Sequence, residues 1–498
     1  MNITFGALYF IIAILTILFL FFKRRFSYWK NRGVPYIEPT IPHGNLKDVG
    51  KSKHFVEAMD EIYYACKKKS PFAGSYFSIS PVAVITDLDL IKTVLIRDFH
   101  FFRDRSNYCN EEDDPLSGTL FFVQGERWTT LRKKLSPAFT SGKMKFMYPT
   151  LLNVCDRLVE HLSEVIQVEN DIEVKDVLGR YTTDVIGECA FGIECNSLRN
   201  PKAEFRKFGA KVFNAPKYSK LVKEFLGQCP EIGRFFRMKL FSDDVIEFFL
   251  GTITETIEFR EKNNVHRNDF IDLLIQMKND KNPDAPHLTM LEIVAQVFGF
   301  FLAAFETSSS AMSFSLYELA VNPDLQEKAR QEVNEVLNKH NGEMTYDTIM
   351  DMNYVGLVMT ESIRKYPVLM AVTRKAVEDY KVPGTDKIIE KGTGVVIPIY
   401  SIHHDPEIYP NPDVFDPERF RQEEVGRRHP MAFLGFGDGP RNCIGMRFGV
   451  MQSRLGLAKL LKNFRVKLSP KMSVPLKLDP NALVLSSLGG LYLVLEKI

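Results

Sequence analysis

From Ile3 to Phe22 the chain carries no charged residue; the run reads ITFGALYFIIAILTILFLFF. As a helix rising 1.5 Å per residue it would be about 30 Å long, the hydrocarbon thickness of a bilayer. A cleaved secretory leader would have a shorter apolar stretch, a basic start and a small-residue cleavage site, and none of these is evident. The pattern therefore predicts a transmembrane anchor over residues 1–22. Lys23, Arg24 and Arg25 follow at once, which places the rest of the chain on the cytosolic side. Gly33, Pro35, Pro39 and Pro42 then predict a stiff, basic, proline-rich linker over residues 23–42, because proline fixes φ and resists helix continuation.

From residue 43 to residue 498 there is no obvious second linker, repeat or low-complexity tract, so this stretch reads as one body. Most of its segments have helical spacing. Strand-like runs appear at Tyr76–Thr86, Val395–Ile399 and Gly490–Leu495. The fold class expected is mostly α with minor β. One helix stands apart. Thr289-Met-Leu-Glu292 is a capping box, and the helical pattern runs from it to Val321, before Asn322-Pro323. Its length would be about 50 Å. The middle, VFGFFLAAF, is apolar on every face, which suits a helix crossing a protein interior. A second membrane span would put Glu306 near mid-bilayer, where a carboxylate is costly.

Composition changes this picture little. Apolar residues make up 45% and charged residues 25%, with 39 Phe, enough for a large aromatic core. The formal net charge of +2 lacks the basic stripe that nucleic acid would need. Lys67–Lys69 and Arg132–Lys134 read as solvated helix faces. The seven cysteines are scattered, odd in number and without a C-x-x-C pair. That disfavours a zinc knuckle and suits free thiols in a reducing compartment.

The segment with chemistry in it is Phe436-Gly-Asp-Gly-Pro-Arg-Asn-Cys443-Ile-Gly445. Two glycines, Gly437 and Gly439, permit a tight loop. Arg441 presents a planar fork that matches a carboxylate. The residues after Gly445 have helical spacing, which puts Cys443 just before a helix N-terminus. There the unsatisfied N–H groups and the dipole favour a thiolate, the form a metal needs. A buried structural cysteine would be the ordinary reading of a lone thiol.

The whole loop resembles the heme-binding signature F-x-x-G-x-R-x-C-x-G of cytochrome P-450 enzymes, with every fixed position filled. Three further motifs fall in that family's order: Trp128-x-x-x-Arg132, Glu361-x-x-Arg364 and Pro417-Glu-Arg419-Phe420. The resemblance implies the cytochrome P-450 fold over 43–498, with heme b held by Cys443 as axial iron ligand. It implies propionate or heme contacts from Trp128, Arg132, Arg374, Arg441, Phe436 and Arg105, and a folding role for Glu361, Arg364 and Arg419. Ala303-Ala-Phe-Glu306-Thr307-Ser308 is similar to the family's oxygen-activation motif. Thr307 would place a hydroxyl where oxygen is reduced, and Glu306 would relay protons. Ala304 stands where the family usually has glycine, which bears on groove shape and coupling.

The resemblance further implies a monooxygenase of lipophilic compounds, similar to insect microsomal enzymes that handle insecticides and plant toxins; endogenous lipids or hormones are equally open. O2 and NADPH would be cosubstrates. The electrons would come through a separate flavoprotein reductase, with cytochrome b5 a candidate second partner, because the chain has no G-x-G-x-x-G loop of its own. Arg132, Lys133, Lys134 and Arg447 would offer that reductase positive charge. The location implied is the endoplasmic reticulum membrane, single-pass and cytosol-facing. Substrate contacts are expected from segments 103–122, 208–220, 238–248, 297–308, 368–374 and 483–489, including Phe121, Phe122, Phe298, Phe301, Phe305, Leu369, Met370, Val372 and Leu485. Two rivals remain: a heme-thiolate isomerase or dehydratase that needs no reductase, and a non-catalytic heme sensor.

Overall fold

A computed structural model describes residues 2–267, 269–280 and 287–498. The elements that matter run in chain order. They are helix α1 (Asn2–Phe26), strands β1 (Phe72–Phe77) and β2 (Ser80–Ile85), helices α2 (Gly125–Leu135) and α3 (Ser141–Val165), strand β3 (Asp171–Glu173) and helix α4 (Val174–Ile186). Then come helices α5 (Met290–Val321) and α6 (Asn353–Lys365), strands β4 (Val372–Lys375) and β5 (Gly394–Ile397), helix α7 (Met446–Asn463), and strands β6 (Phe464–Leu468) and β7 (Tyr492–Lys497). Helices dominate and strands are few, as the spacing predicts. The chain forms two compact units: Met1–Ser106 with Leu369–Pro410 and His429–Arg441, and Asn107–Val368 with Asn411–Arg428 and Asn442–Ile498.

In the first unit, α1 ends on Lys23, Arg24 and Arg25, where positive charge complements the helix dipole. From Tyr9 to Phe21 its side chains are exposed on every face, so no core takes them up. Just beyond it Trp29 is fully buried, its Nε1 donating to the Ser75 carbonyl at 2.9 Å. Gly74 makes room for it, since a Cβ there would come within 2.3 Å of the indole. The chain around Trp29 therefore packs on β1. The sheet has the order β1-β2-β5-β4, antiparallel at both ends and parallel between β2 and β5. The run Tyr76–Thr86, read as one strand, is split between two: Ser78 adopts φ +51° and the chain reverses into a hairpin. Ser78-Ile79 lacks the Asn-Gly type of signal that would have marked the turn.

In the second unit, α5 begins on the expected capping box. Glu292 N–H donates to Thr289 Oγ1 at 3.2 Å, and Thr289 N–H donates to the Glu292 carboxylate at 2.7 Å. The helix is long and apolar enough to cross a membrane, yet Val297, Phe298, Phe301 and Phe305 are buried in protein. Phe249 meets Phe298 and Phe301 at centroid separations of 4.9 and 5.1 Å, and Phe301 stacks on Phe305 at 5.5 Å. Each such ring contributes about 1.5–3 kcal/mol by burial. Close approach of α7 to α5 rests on Gly456, where a Cβ would stand 2.6 Å from Met312 Sδ. A three-stranded sheet, β3-β7-β6, closes this unit.

Candidate functional site

The loop before Cys443 bends where the glycines allow it. Gly437 and Gly439 have φ of +65° and +72°. Gly437 N–H donates to the Leu434 carbonyl at 2.9 Å, and the Asp438 carboxylate accepts from Gly439 N–H at 2.6 Å. Gly439 lies against the Leu95 carbonyl so closely that a Cβ would stand 1.9 Å from that oxygen. Gly439→Ala is therefore expected to cost at least about 1–2 kcal/mol from the left-handed backbone alone, and more from the clash. Thermal unfolding and heme content per protein would read it; an unchanged melting temperature would contradict it. Phe436 is partly exposed at the loop's start.

Within the same unit three guanidinium groups gather. Arg374 lies on β4 opposite Val395 of β5 and is 1% exposed. The next residue, Lys375, pairs through its N–H with the Asp104 carbonyl at 2.8 Å, which brings Arg105 alongside. Arg441, 4% exposed, has its Nη2 3.7 Å from Asp104 Oδ1. Burial pushes the Arg374 guanidinium well below its ordinary value, and repulsion from Arg105 and Arg441 adds to this. Its Nη1 donates to the Thr373 carbonyl at 2.8 Å, but its Nε is buried with no hydrogen-bond partner. Cations crowded this way, with a donor left over, suit an anion of the carboxylate kind.

In the second unit Cys443 is an exposed cysteine in no disulfide, three residues before the first residue of α7. Its neighbour Asn442 is gripped by Arg132 of α2. One guanidinium nitrogen donates to the Asn442 carbonyl at 3.0 Å and another to its Oδ1 at 2.7 Å. Burial lowers the Arg132 pKa, and the nearby Cys443 sulfur opposes that shift. Trp128, one turn earlier on α2, is 4% exposed. On the other flank, Arg447 donates to the Phe139 carbonyl at 3.3 Å, which ties the start of α7 to the Leu135–Lys145 segment.

α5 passes nearby: a Cβ on Gly449 of α7 would be 3.9 Å from Ser308 Oγ. Thr307 Oγ1 donates back to the Ala303 carbonyl at 2.5 Å, one turn earlier. Ala303 is exposed while Phe301 and Phe305 beside it are buried, so the helix borders open space on that side. Glu306 Oε1 lies 2.6 Å from Lys175 Nζ. Thr182 of α4 donates to the Phe305 carbonyl at 2.7 Å and pins the helix backbone next to Glu306.

The segments expected to touch substrate are partly drawn together. Tyr108 OH donates to the Met238 carbonyl at 2.8 Å, and Asp114 Oδ2 accepts from Leu240 N–H at 2.7 Å, joining 103–122 to 238–248. Phe241 meets Phe298 at 5.0 Å. Phe298, Phe301, Phe305 and Leu485 are buried. Phe122 lies against Phe241, and Phe121 is exposed. In the first unit Met370 is buried, Val372 begins β4 and Leu369 is exposed. Lys175, Thr182 and Asn442 were not foreseen. Nothing in the sequence spacing links residue 175 to 306, 182 to 305, or 132 to 442.

Comparison with known proteins gives one result throughout. The family model described as Cytochrome P450 matches residues 35–494. Cytochrome P450 6A1 of Musca domestica is 47% identical over 496 residues, covering 98% of this chain and 97% of that protein. Cytochrome P450 6a2 of Drosophila melanogaster is 43% identical over 505 residues, covering 99% and 100%. Probable cytochrome P450 6a14, also of Drosophila melanogaster, is 44% identical over 487 residues, covering 95% and 96%.

Proposed function

The chain belongs to the cytochrome P450 family and is a heme-thiolate monooxygenase; from that premise we propose a membrane-anchored enzyme of lipophilic substrates, with Cys443 as its iron ligand. The family's cofactor is heme b, with O2 and electrons derived from NADPH. The reaction class balances as RH + O2 + NADPH + H⁺ giving ROH + H2O + NADP⁺. Bound heme would supply the oxygen chemistry, and Cys443 would supply the sulfur that holds its iron.

The residues fit that group. The exposed Cys443 thiol at a helix N-terminus is the soft donor. The buried Arg374 Nε, flanked by Arg105 and Arg441, awaits a carboxylate such as a heme propionate. Arg132 holds the backbone at Asn442 and so aims the sulfur; Trp128 and Phe436 supply apolar contact. Thr307 offers a hydroxyl on the α5 side, and Glu306 carries protons to it. The one observation that carries this reading is the Cys443 thiol standing exposed ahead of α7 while α5 passes beside that helix.

Three supports extend the proposal. The exposed apolar side chains of α1 from Tyr9 to Phe21, followed by its basic end, support a single membrane span with the body on the cytosolic face of the endoplasmic reticulum. Residues 23–42 then join span to body. Exposed Lys133 and Arg447, on the elements flanking Cys443, support docking of an acidic reductase face, with cytochrome b5 as a further donor. The aromatic surroundings of α5 support apolar substrates, xenobiotic or endogenous.

The test is reconstitution with a reductase, NADPH and a panel of lipophilic compounds, products being read by mass spectrometry. Oxygenated products are expected. Thr307→Ala should keep its heme spectrum yet divert most NADPH electrons to hydrogen peroxide. Turnover of lipid hydroperoxide alone, with none from NADPH, would favour an isomerase; ligand binding without NADPH consumption would favour a sensor.

A further inference from the structure

Glu306 meets a partner that the oxygen-activation motif does not contain. Lys175, in the first turn of α4, places its Nζ 2.6 Å from Glu306 Oε1. The same Nζ donates to Ser486 Oγ at 3.0 Å, and Ser486 Oγ donates onward to the Val484 carbonyl at 3.0 Å. Ser486 follows Leu485, which is fully buried and whose N–H donates to the Val368 carbonyl at 3.2 Å. The lysine is thus fixed from two sides. The Lys175 and Glu306 side chains are 19% and 18% accessible, so the pair is largely shielded from water. Among the described residues each is the other's only ion-pair partner; the neighbouring Asp176 is taken by Arg180 and Arg206.

A carboxylate in the middle of a largely buried helix has several rotamers, and only some point where a proton is needed. An opposite charge at this distance selects one of them. The backbone beneath is held as well, because Thr182 of the same helix α4 pins the Phe305 carbonyl. We propose that Lys175, steadied by Ser486, is the positioning residue for proton delivery, holding the Glu306 carboxylate in one orientation from which it takes and hands on protons. The proposal rests on reading Glu306 as the relay. It adds the residue that sets the relay's geometry, supplied from outside α5.

The test uses the full-length enzyme with reductase and NADPH. Lys175→Met is expected to keep the reduced carbon monoxide spectrum and substrate affinity. It should lower product formed per NADPH by about tenfold, below the roughly hundredfold that a 1 Å misplacement can cost, and it should enlarge the solvent isotope effect on product formation. Lys175→Arg, which keeps the charge, should restore most of the coupling. Adding Lys175→Met to Glu306→Gln should change nothing further, as expected of two groups acting through one step. If Glu306→Gln uncouples the enzyme while Lys175→Met leaves coupling and isotope effect at wild-type values, the relay stands and the tether is overturned. If Glu306→Gln itself couples normally, both readings fall together.

Discussion

Cys443→Ala is expected to remove the red-shifted Soret band of the reduced carbon monoxide complex and to abolish NADPH-driven product formation. The band reports sulfur on the iron, and burial disfavours five of the six other thiols as ligands. Burial pushes the thiols of Cys66, Cys109, Cys155, Cys189 and Cys195 up, Cys109 to about 11 and Cys155 to about 12. At neutral pH those groups are protonated, and a protonated thiol is not a ligand. Cys443 differs in kind: it is exposed and lies just before α7, where unpaired N–H groups stabilise negative charge. The loss should be to background rather than graded, because the ligand is a single atom. A Cys443→Ala protein that binds heme and still shows the red-shifted band would refute the assignment of the sulfur.

Glu361→Ala is expected to destabilise the fold by about 3–5 kcal/mol, the usual cost of leaving buried charge without its partner. Both Glu361 and Arg364 are 0% exposed. Glu361 Oε2 accepts from Arg364 Nε at 2.7 Å, and Oε1 accepts from Arg364 Nη2 at 2.8 Å and from Asp416 N–H at 3.0 Å. Arg419 Nε stands 3.5 Å from the same Oε1, and Arg364 Nη2 also donates to the Pro412 carbonyl at 2.7 Å. Burial raises the Glu361 pKa, and the two arginines oppose that only in part. Removing the carboxylate strands a fully buried guanidinium and frees the 411–419 segment from α6. Against a typical total stability of about 5–15 kcal/mol, such a loss is large. Denaturant unfolding and heme retained after purification would measure it. A midpoint equal to wild type would show that the cluster carries no stability.

These two predictions differ in how far the sequence alone supports them. The E-x-x-R spacing shows only that Glu361 and Arg364 share a helix face, which any surface helix also provides. What makes the pair consequential is complete burial and the arrival of Asp416 and Arg419 some fifty residues on. The capping box at Thr289–Glu292, by contrast, is local: four residues suffice, and the structure has both of its hydrogen bonds. The hairpin at Ser78 was hidden because a serine in the left-handed region has no distinctive composition. The crowding of Arg105, Arg374 and Arg441 was visible only as three separate arginines until the pairing of Lys375 with Asp104 brought them into one cluster.

Periodicity and local order along the chain determined the apolar first helix, the long interior helix, the predominance of α structure and the bend before Cys443. Each depends on residues close in sequence, where helix geometry, capping and glycine's freedom act directly. Tertiary structure alone decided that Arg132 holds Asn442, that Thr182 pins α5 and that Lys175 faces Glu306. Such contacts join residues that are more than a hundred positions apart. They exist because packing brings the elements together, and the linear pattern holds no record of that.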